Sequence, residues 1–316
     1  MTFRYEEIGQ RLKAFRMGSG LGADEIARKI GISRTALYRF ERGELAKIDT
    51  LAKFAELLGV STATLLGVGI EYIPSAVSYF ERMRQIEETA EQIVILSGPI
   101  SFLLASDDFQ ATLQEVLTEN ITKAVANSAR ALSDIPLIME ILAQRKALYR
   151  KRRPAIVNLM SAFELERFLD HGFVGRKGMP DEVLRKRKAL ARAEIEHFAR
   201  LLERQPIGVQ IGIVPDTLPH TGFQIFRQPG RTLLAMSPFR LGGEPNVRVG
   251  VAMITSAADG VSLHEAAIQD MWNRALKGER AAHFLHQLLE NEGKPFDSDQ
   301  LPLPDDGSEA RPKPVH

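Results

Sequence analysis

No cysteine occurs among the 316 residues. That absence excludes a disulfide framework, thiolate metal sites and cysteine nucleophiles, and it fits a reducing compartment. Long hydrophobic runs are missing too. The longest apolar stretch, Ile93–Ala105, is broken by Gly98 and Pro99 and is too short to span a bilayer. Met1–Gly20 reads as a polar-faced helix rather than a secretory leader, so a soluble, cytoplasmic protein with no membrane partner is expected. Net charge is nearly absent, at +1, and apolar and charged contents of 44% and 26% are those of ordinary globular protein. No internal repeat, phosphate-binding Walker loop, serine elbow or paired-carboxylate pattern is recognisable. At this length the chain has room for two or three domains with separate cores.

The small net charge conceals an uneven distribution. Between Arg11 and Lys53, ten Lys/Arg face five Asp/Glu, leaving +5 on that segment. Inside it lies GADEIARKIGISRTALYRFERG, Gly22 to Gly43, which reads as two short helices joined by a tight turn. Asp24 and Glu25 open the first helix, and Ile26, Ala27 and Ile30 share one face of it. Gly31 is placed for a left-handed turn residue. Ser33 can cap a second helix whose Ala36, Leu37 and Phe40 point back at the first. The other face of that helix carries Arg34, Thr35, Tyr38 and Arg39, and Arg42 follows. So much cationic and hydrogen-bonding capacity on so short a helix points to a DNA-reading helix-turn-helix, with the local positive charge available for phosphate neutralisation.

From about Glu6 to Leu66 the sequence resembles the Cro/C1-type (XRE) DNA-binding domains. That resemblance implies a five-helix bundle whose third helix enters the major groove. It places Arg34, Thr35 and Arg39 where base edges are contacted, and Ser33, Arg42 and Lys47 where phosphates are contacted; Tyr38 belongs to the same interface. Where the family often carries a glutamine near the backbone, this chain has Ala23. Flanking helices are expected at residues 6–17 (Ile8, Leu12, Phe15) and 48–58 (Leu51, Phe54, Ala55, Leu58), with a short fifth at 62–66. The glycine-rich loop Gly18–Gly22 follows a helix, not a strand, and reads as a connection rather than a nucleotide cradle.

Gly67–Pro74 marks the expected boundary of the first domain. Residues 75–150 read as helical, with Val77, Phe80 and Met83 starting one helix, Phe109 to Val125 forming another, and a third beginning after Pro136. Beyond 150 the pattern becomes mixed. Strands are expected at Ala155–Met160, Ile207–Val214, Gly222–Phe226, Thr232–Met236 and Val247–Ile254, and helices at 162–170, Leu184–Glu203, Leu263–Leu276 and Glu279–Leu289. The segment 291–316 is rich in acids and proline and reads as a disordered tail. Between roughly Ser75 and Leu289 the chain resembles, diffusely, the large domain that follows a Cro/C1-type helix-turn-helix in many actinobacterial regulators. Gln210–Pro215, His220 and Phe223–Phe226 carry that likeness, which implies an architecture and a regulatory role.

Three further features bear on possible chemistry. The basic run Arg145, Lys146, Arg150, Lys151, Arg152 and Arg153 reads as a solvated helix end, with a second anion patch as the alternative. His264-Glu265 begins a zinc-protease-like pattern, but Ile268 stands where the second histidine is needed, so neither a metal nor another cofactor is expected. Asp216, Thr217 and His220 follow a strand at its carboxyl end and are the candidate ligand-binding residues, a polar turn being the plainer reading. The resulting expectation is multidomain: an all-α DNA-binding bundle at 1–70, then a regulatory region at 75–290, helical to 150 and α/β with a mixed sheet from 151. Its partners would be double-stranded DNA, a second copy of the chain through Val77–Leu96 and Phe109–Leu132, and a small-molecule effector or a protein. The expected function is that of a transcriptional regulator and not an enzyme; the alternative is an antitoxin or adaptor whose C-terminal domain holds a protein partner.

Overall fold

The computed structural model describes residues 5–44, 47–96, 98–121, 128–215 and 222–291. Five helices open the chain: α1 (Tyr5–Ser19), α2 (Ala23–Ile30), α3 (Arg34–Glu41), α4 (Ile48–Leu58) and α5 (Thr62–Leu66). They bury Leu12, Phe15, Ile26, Ile30, Leu37, Phe54 and Leu65 against one another. Helices and an eight-stranded mixed sheet follow, as the sequence predicted. The strands run β1 (Ile70–Ile73), β2 (Gln92–Leu96), β3 (Ala155–Ser161), β4 (Val209–Val214), β5 (Phe223–Gln228), β6 (Arg231–Met236), β7 (Ala252–Thr255) and β8 (Leu276–Lys277). In the sheet their order is β1-β7-β6-β5-β2-β3-β4-β8; β2, β3 and β4 are parallel and the remaining pairs antiparallel.

The other helices are α6 (Ala76–Glu87), α7 (Asp107–Glu119), α8 (Ser128–Arg152), α9 (Ala162–His171), α10 (Asp181–Arg204), α11 (Ala258–Arg274) and α12 (Gly278–Glu290). Period-two alternation divides the strand side chains between two faces. Ile93, Ile95, Ile156, Met160, Ile211, Ile213 and Phe226 face one layer, with apolar residues of α6 to α10 and of α12. Val94, Leu96, Leu159, Val214 and Ile225 face the other, filled by Val261, Ile268 and Met271 of α11. The first layer is continuous with the core of the five-helix bundle, through Leu12 and Phe15 beside Ile73, Val77 and Phe80.

Several expectations are corrected. The segment 75–150 is not purely helical: Gln92–Leu96 is β2, in the middle of the sheet between β3 and β5. Its four apolar residues, Ile93–Leu96, are buried on both faces and so show no alternation. The boundary Gly67–Pro74 holds edge strand β1, paired with β7. Pro136 lies inside α8, which starts at Ser128 rather than after the proline. Of the expected strand Val247–Ile254 only Ala252–Ile254 enters the sheet, in β7, and Leu276 leaves its predicted helix to pair with Ile213. The proposed dimer-contact helices are core elements: Val77, Phe80, Met83, Phe109, Leu113, Val116 and Leu117 are all buried within the chain. The tail from 292 lies outside the described residues.

Candidate nucleic-acid interface

The turn between α2 and α3 forms as its residue types require. Gly31 adopts φ 82°, and its amide and that of Ile32 return to carbonyls of the last turn of α2, notably Ala27 at 3.0 Å for both. Ser33 then caps α3, its Oγ accepting from the Ala36 amide at 3.1 Å. Leu37 is fully buried, and Phe40 meets Phe54 edge-on with centroids 6.4 Å apart. The opposite face stays open: the Arg34 and Arg39 side chains are 57% and 56% exposed, and Ser33, Thr35 and Arg42 are exposed beside them. Lys47, also exposed, stands at the N-terminus of α4. Ala23 is the first residue of α2.

Side chains on this face are arranged before any partner arrives. Arg34 donates to Asp24 at 3.1 Å and to the Tyr38 hydroxyl at 3.3 and 3.2 Å, with its guanidinium 5.4 Å from the Tyr38 ring centre. Tyr38 also lies 5.9 Å from the Arg16 guanidinium, so its half-buried ring fills the space between two cations. Arg39 donates to Glu44 at 2.6 Å. The Tyr38 hydrogen bond, then Asp24, hold Arg34 above the ordinary guanidinium range; Glu44 does the same for Arg39 and is itself held low by that bond. Both arginines are therefore cationic, with their charge directed outward and balanced only by exposed acids. Exposed ion pairs are weak and screened by salt, whereas a guanidinium on guanine O6 and N7 makes two aligned hydrogen bonds.

What fixes α3 was not visible in the sequence. Glu41, expected only as one of five opposing acids, is buried and accepts from both Nε and Nη2 of Arg16, clamping the end of α3 to α1. The helices approach so closely that a Cβ at Gly9 would lie 2.5 Å from the Phe40 carbonyl oxygen and 2.6 Å from that of Glu41. The 25-residue separation of Arg16 and Glu41 left no periodic trace. A second surprise is the groove beside the recognition helix: Thr35, Tyr38 and Arg42 form one wall, and Arg84, Gln85 and Glu88, from α6 and the residue after it, form another.

Helix α1 is docked on the sheet domain through buried charge. Glu71 of β1 accepts from Arg11 Nε at 3.1 Å and from Arg82 Nε and Nη2 at 2.6 and 3.1 Å, and all three side chains are buried. Desolvation, then Arg82, push the Arg11 guanidinium below its ordinary range. Arg231 reaches Glu7 at 2.6 Å, and Gln85 donates to the Gln10 carbonyl at 3.0 Å.

The basic run at 145–153 is neither uniformly solvated nor a continuous patch. Arg145 and Lys146 are 4% and 3% exposed. Arg145 holds Glu87 with two nitrogens, and Lys146 donates to the Ser106 carbonyl at 2.8 Å. Arg150 pairs with Asp107, leaving Lys151, Arg152 and Arg153 at the exposed end. His264 packs edge-on against Phe223 and lies 2.8 Å from the Gly260 carbonyl, and Glu265 pairs with Arg227. Asp216, Thr217 and His220 lie outside the described residues.

Among the described residues no helix is long and apolar enough to cross a membrane. A comparison with curated proteins finds none that matches the chain. A family model described as a helix-turn-helix domain matches residues 7–66, the segment that folds into the five helices with the exposed arginine face, and this N-terminal part is accordingly a helix-turn-helix DNA-binding domain.

Proposed function

We propose that this protein is a cytoplasmic, sequence-specific transcriptional regulator whose helix-turn-helix is of the Cro/C1 (XRE) type. It acts by binding rather than by catalysis. Two copies bind one operator, each laying α3 in the major groove of a half-site, with half-sites about one helical turn apart. Arg34, Thr35 and Arg39 read bases, and Ser33, Arg42 and Lys47 hold phosphates. The observation that carries the reading is the outward-facing Arg34–Arg39 surface on a helix clamped from behind by Arg16 and Glu41. With α6 buried and the apolar face of α7 turned into the chain's own core, the dimer contact falls elsewhere; edge strand β1, which exposes Ile70 and Tyr72, is the surface in keeping with it. The sheet domain senses an effector, and α6, packed between that domain and α1, is the route by which sensing reaches DNA.

Genome-wide occupancy of the wild type and an Arg34→Ala/Arg39→Ala variant tests this reading. Discrete sites lost in the variant are expected. An absence of discrete sites for the wild type would overturn the regulator assignment and favour an adaptor that holds a protein partner.

A further inference from the structure

Where parallel β2 and β3 end, a cavity of about 680 Å³ opens, and no residue of α3 is on its lining. Its volume lies within the ~300–1,000 Å³ typical of small-molecule sites, and the carboxyl edge of parallel strands is where such sites gather in α/β folds. Its walls come from the turn after β2, the segment after α9, the start of β5 and the loop after β6. Six aromatic residues are on the lining, Tyr79 and Phe80 of α6, Phe102, Phe168, Phe223 and Phe239. The Tyr79 hydroxyl is pushed up to about 12, chiefly by burial, so it stays a neutral phenol.

The charges on the lining are unequal. Arg167, Arg176, Lys177, Arg240 and Arg248 join Arg145 there, against Glu164 and Glu244. Arg145 is neutralised by Glu87, and Arg167 pairs with Glu244 at 2.6 Å. Arg248 differs from both. Its Nε and Nη1 are buried from solvent with no hydrogen-bond partner, and so is Oε1 of Gln224 on the same lining. Arg248 is half-buried, and buried guanidinium nitrogens without an acceptor are costly enough that native proteins rarely leave them so.

We propose that this cavity binds a small organic acid, with its anionic group on Arg248, a hydroxyl or amine donor on Gln224 Oε1, and a flat apolar body among the aromatic rings. Each element answers an observation: the two unpartnered guanidinium nitrogens call for an anion, the unpaired acceptor for a donor, and the rings on the lining for an apolar body. The regulatory meaning of the site rests on the sensing reading above. Tyr79 and Phe80 line the cavity, while Glu81, Arg82 and Gln85 on the next turn of α6 face α1 and β1, so an occupant presses on the helix that carries the DNA-binding domain.

The test uses the full chain and two probes of similar shape, the aromatic sulfonate 8-anilinonaphthalene-1-sulfonate and the neutral N-phenyl-1-naphthylamine, followed by fluorescence and calorimetry. One equivalent of the sulfonate is expected to bind, more weakly as salt rises. Arg248→Gln is expected to weaken it by about tenfold or more, the loss of one charge-assisted pair, and to leave the neutral probe unchanged. Should Arg248→Gln fail to fold by circular dichroism, Arg240→Gln, at an exposed position, serves instead, with a smaller drop confined to the sulfonate. No sulfonate binding to the wild type, binding of several equivalents, or equal binding by wild type and a folded variant would overturn the site. Operator occupancy is read separately: its loss with sulfonate binding intact counts against the regulator reading, and its retention without sulfonate binding counts against this cavity alone.

Discussion

Glu71→Ala strikes the buried charge network that joins α1 to β1 and α6. The carboxylate receives three guanidinium nitrogens at 2.6 to 3.1 Å from Arg11 and Arg82, and it is 4% exposed. Its removal leaves two buried cations facing each other. Arg82 would keep Gln85 at 2.7 Å, and Arg11 would keep Glu7 at 3.4 Å, which offsets part of the loss. Breaking a buried pair on one side costs about 3–5 kcal/mol, a large share of the ~5–15 kcal/mol that stabilises a typical native protein. Because the helix-turn-helix core is continuous with that of the sheet domain, the loss should appear in one cooperative transition, as a fall in Tm on the order of 10 °C. Urea unfolding monitored by circular dichroism measures it directly. The companion variant Arg11→Met/Glu71→Met/Arg82→Met removes all three charges together and should be much closer to wild type, since well-packed apolar replacements of buried ion triads are often neutral or better. A Glu71→Ala variant within about 1 kcal/mol of wild type would show that water reaches the network. A triple variant no more stable than Glu71→Ala would show that the site needs ionic partners and not merely the absence of unpaired charge.

Other perturbations separate the remaining claims. Arg39→Ala should weaken operator binding on the order of tenfold to a hundredfold and relax preference at one base pair; equal loss on operator and random DNA would reassign Arg39 to phosphate. Arg42→Ala should weaken all sequences alike and lower the salt slope of binding by about one, and an unchanged slope would remove Arg42 from the interface. Gly9→Ala should cost about 1–3 kcal/mol in thermal unfolding, because its Cβ meets backbone oxygens of α3 that no side-chain rotation can move aside. Tyr79, raised from about 10 in the unfolded chain to about 12 in the fold, contributes stability that is complete below pH ~10 and lost as pH rises through about 12. Absorbance titration should show a phenol ionising late and missing in Tyr79→Phe; identical curves would contradict its burial.

The sequence by itself determined the local geometry of the DNA-binding face. A glycine able to adopt positive φ, a serine able to cap and apolar residues at helical spacing act over a few residues, so Gly31, Ser33 and Leu37 were legible without knowledge of the fold. Alternation likewise marked β4, whose spacing of apolar residues is a property of the strand alone. Contacts between distant segments were not legible, and the tertiary structure decided them. β2 was hidden because a strand buried on both faces loses its period, and α6 and α7 offered apolar stripes that serve the chain's own core as readily as a dimer's. Arg145 read as solvated charge until the fold set Glu87 against it, and Glu41 counted only as one of five opposing acids until Arg16 closed on it from 25 residues away. Arg248 shows the same limit from the other side: sequence gives its charge, but only the folded position of the loop after β6 buries its Nε and Nη1 without a partner on the cavity lining. Periodicity and capping are encoded between near neighbours, whereas burial and ion pairing depend on which distant segments the folded chain brings into contact.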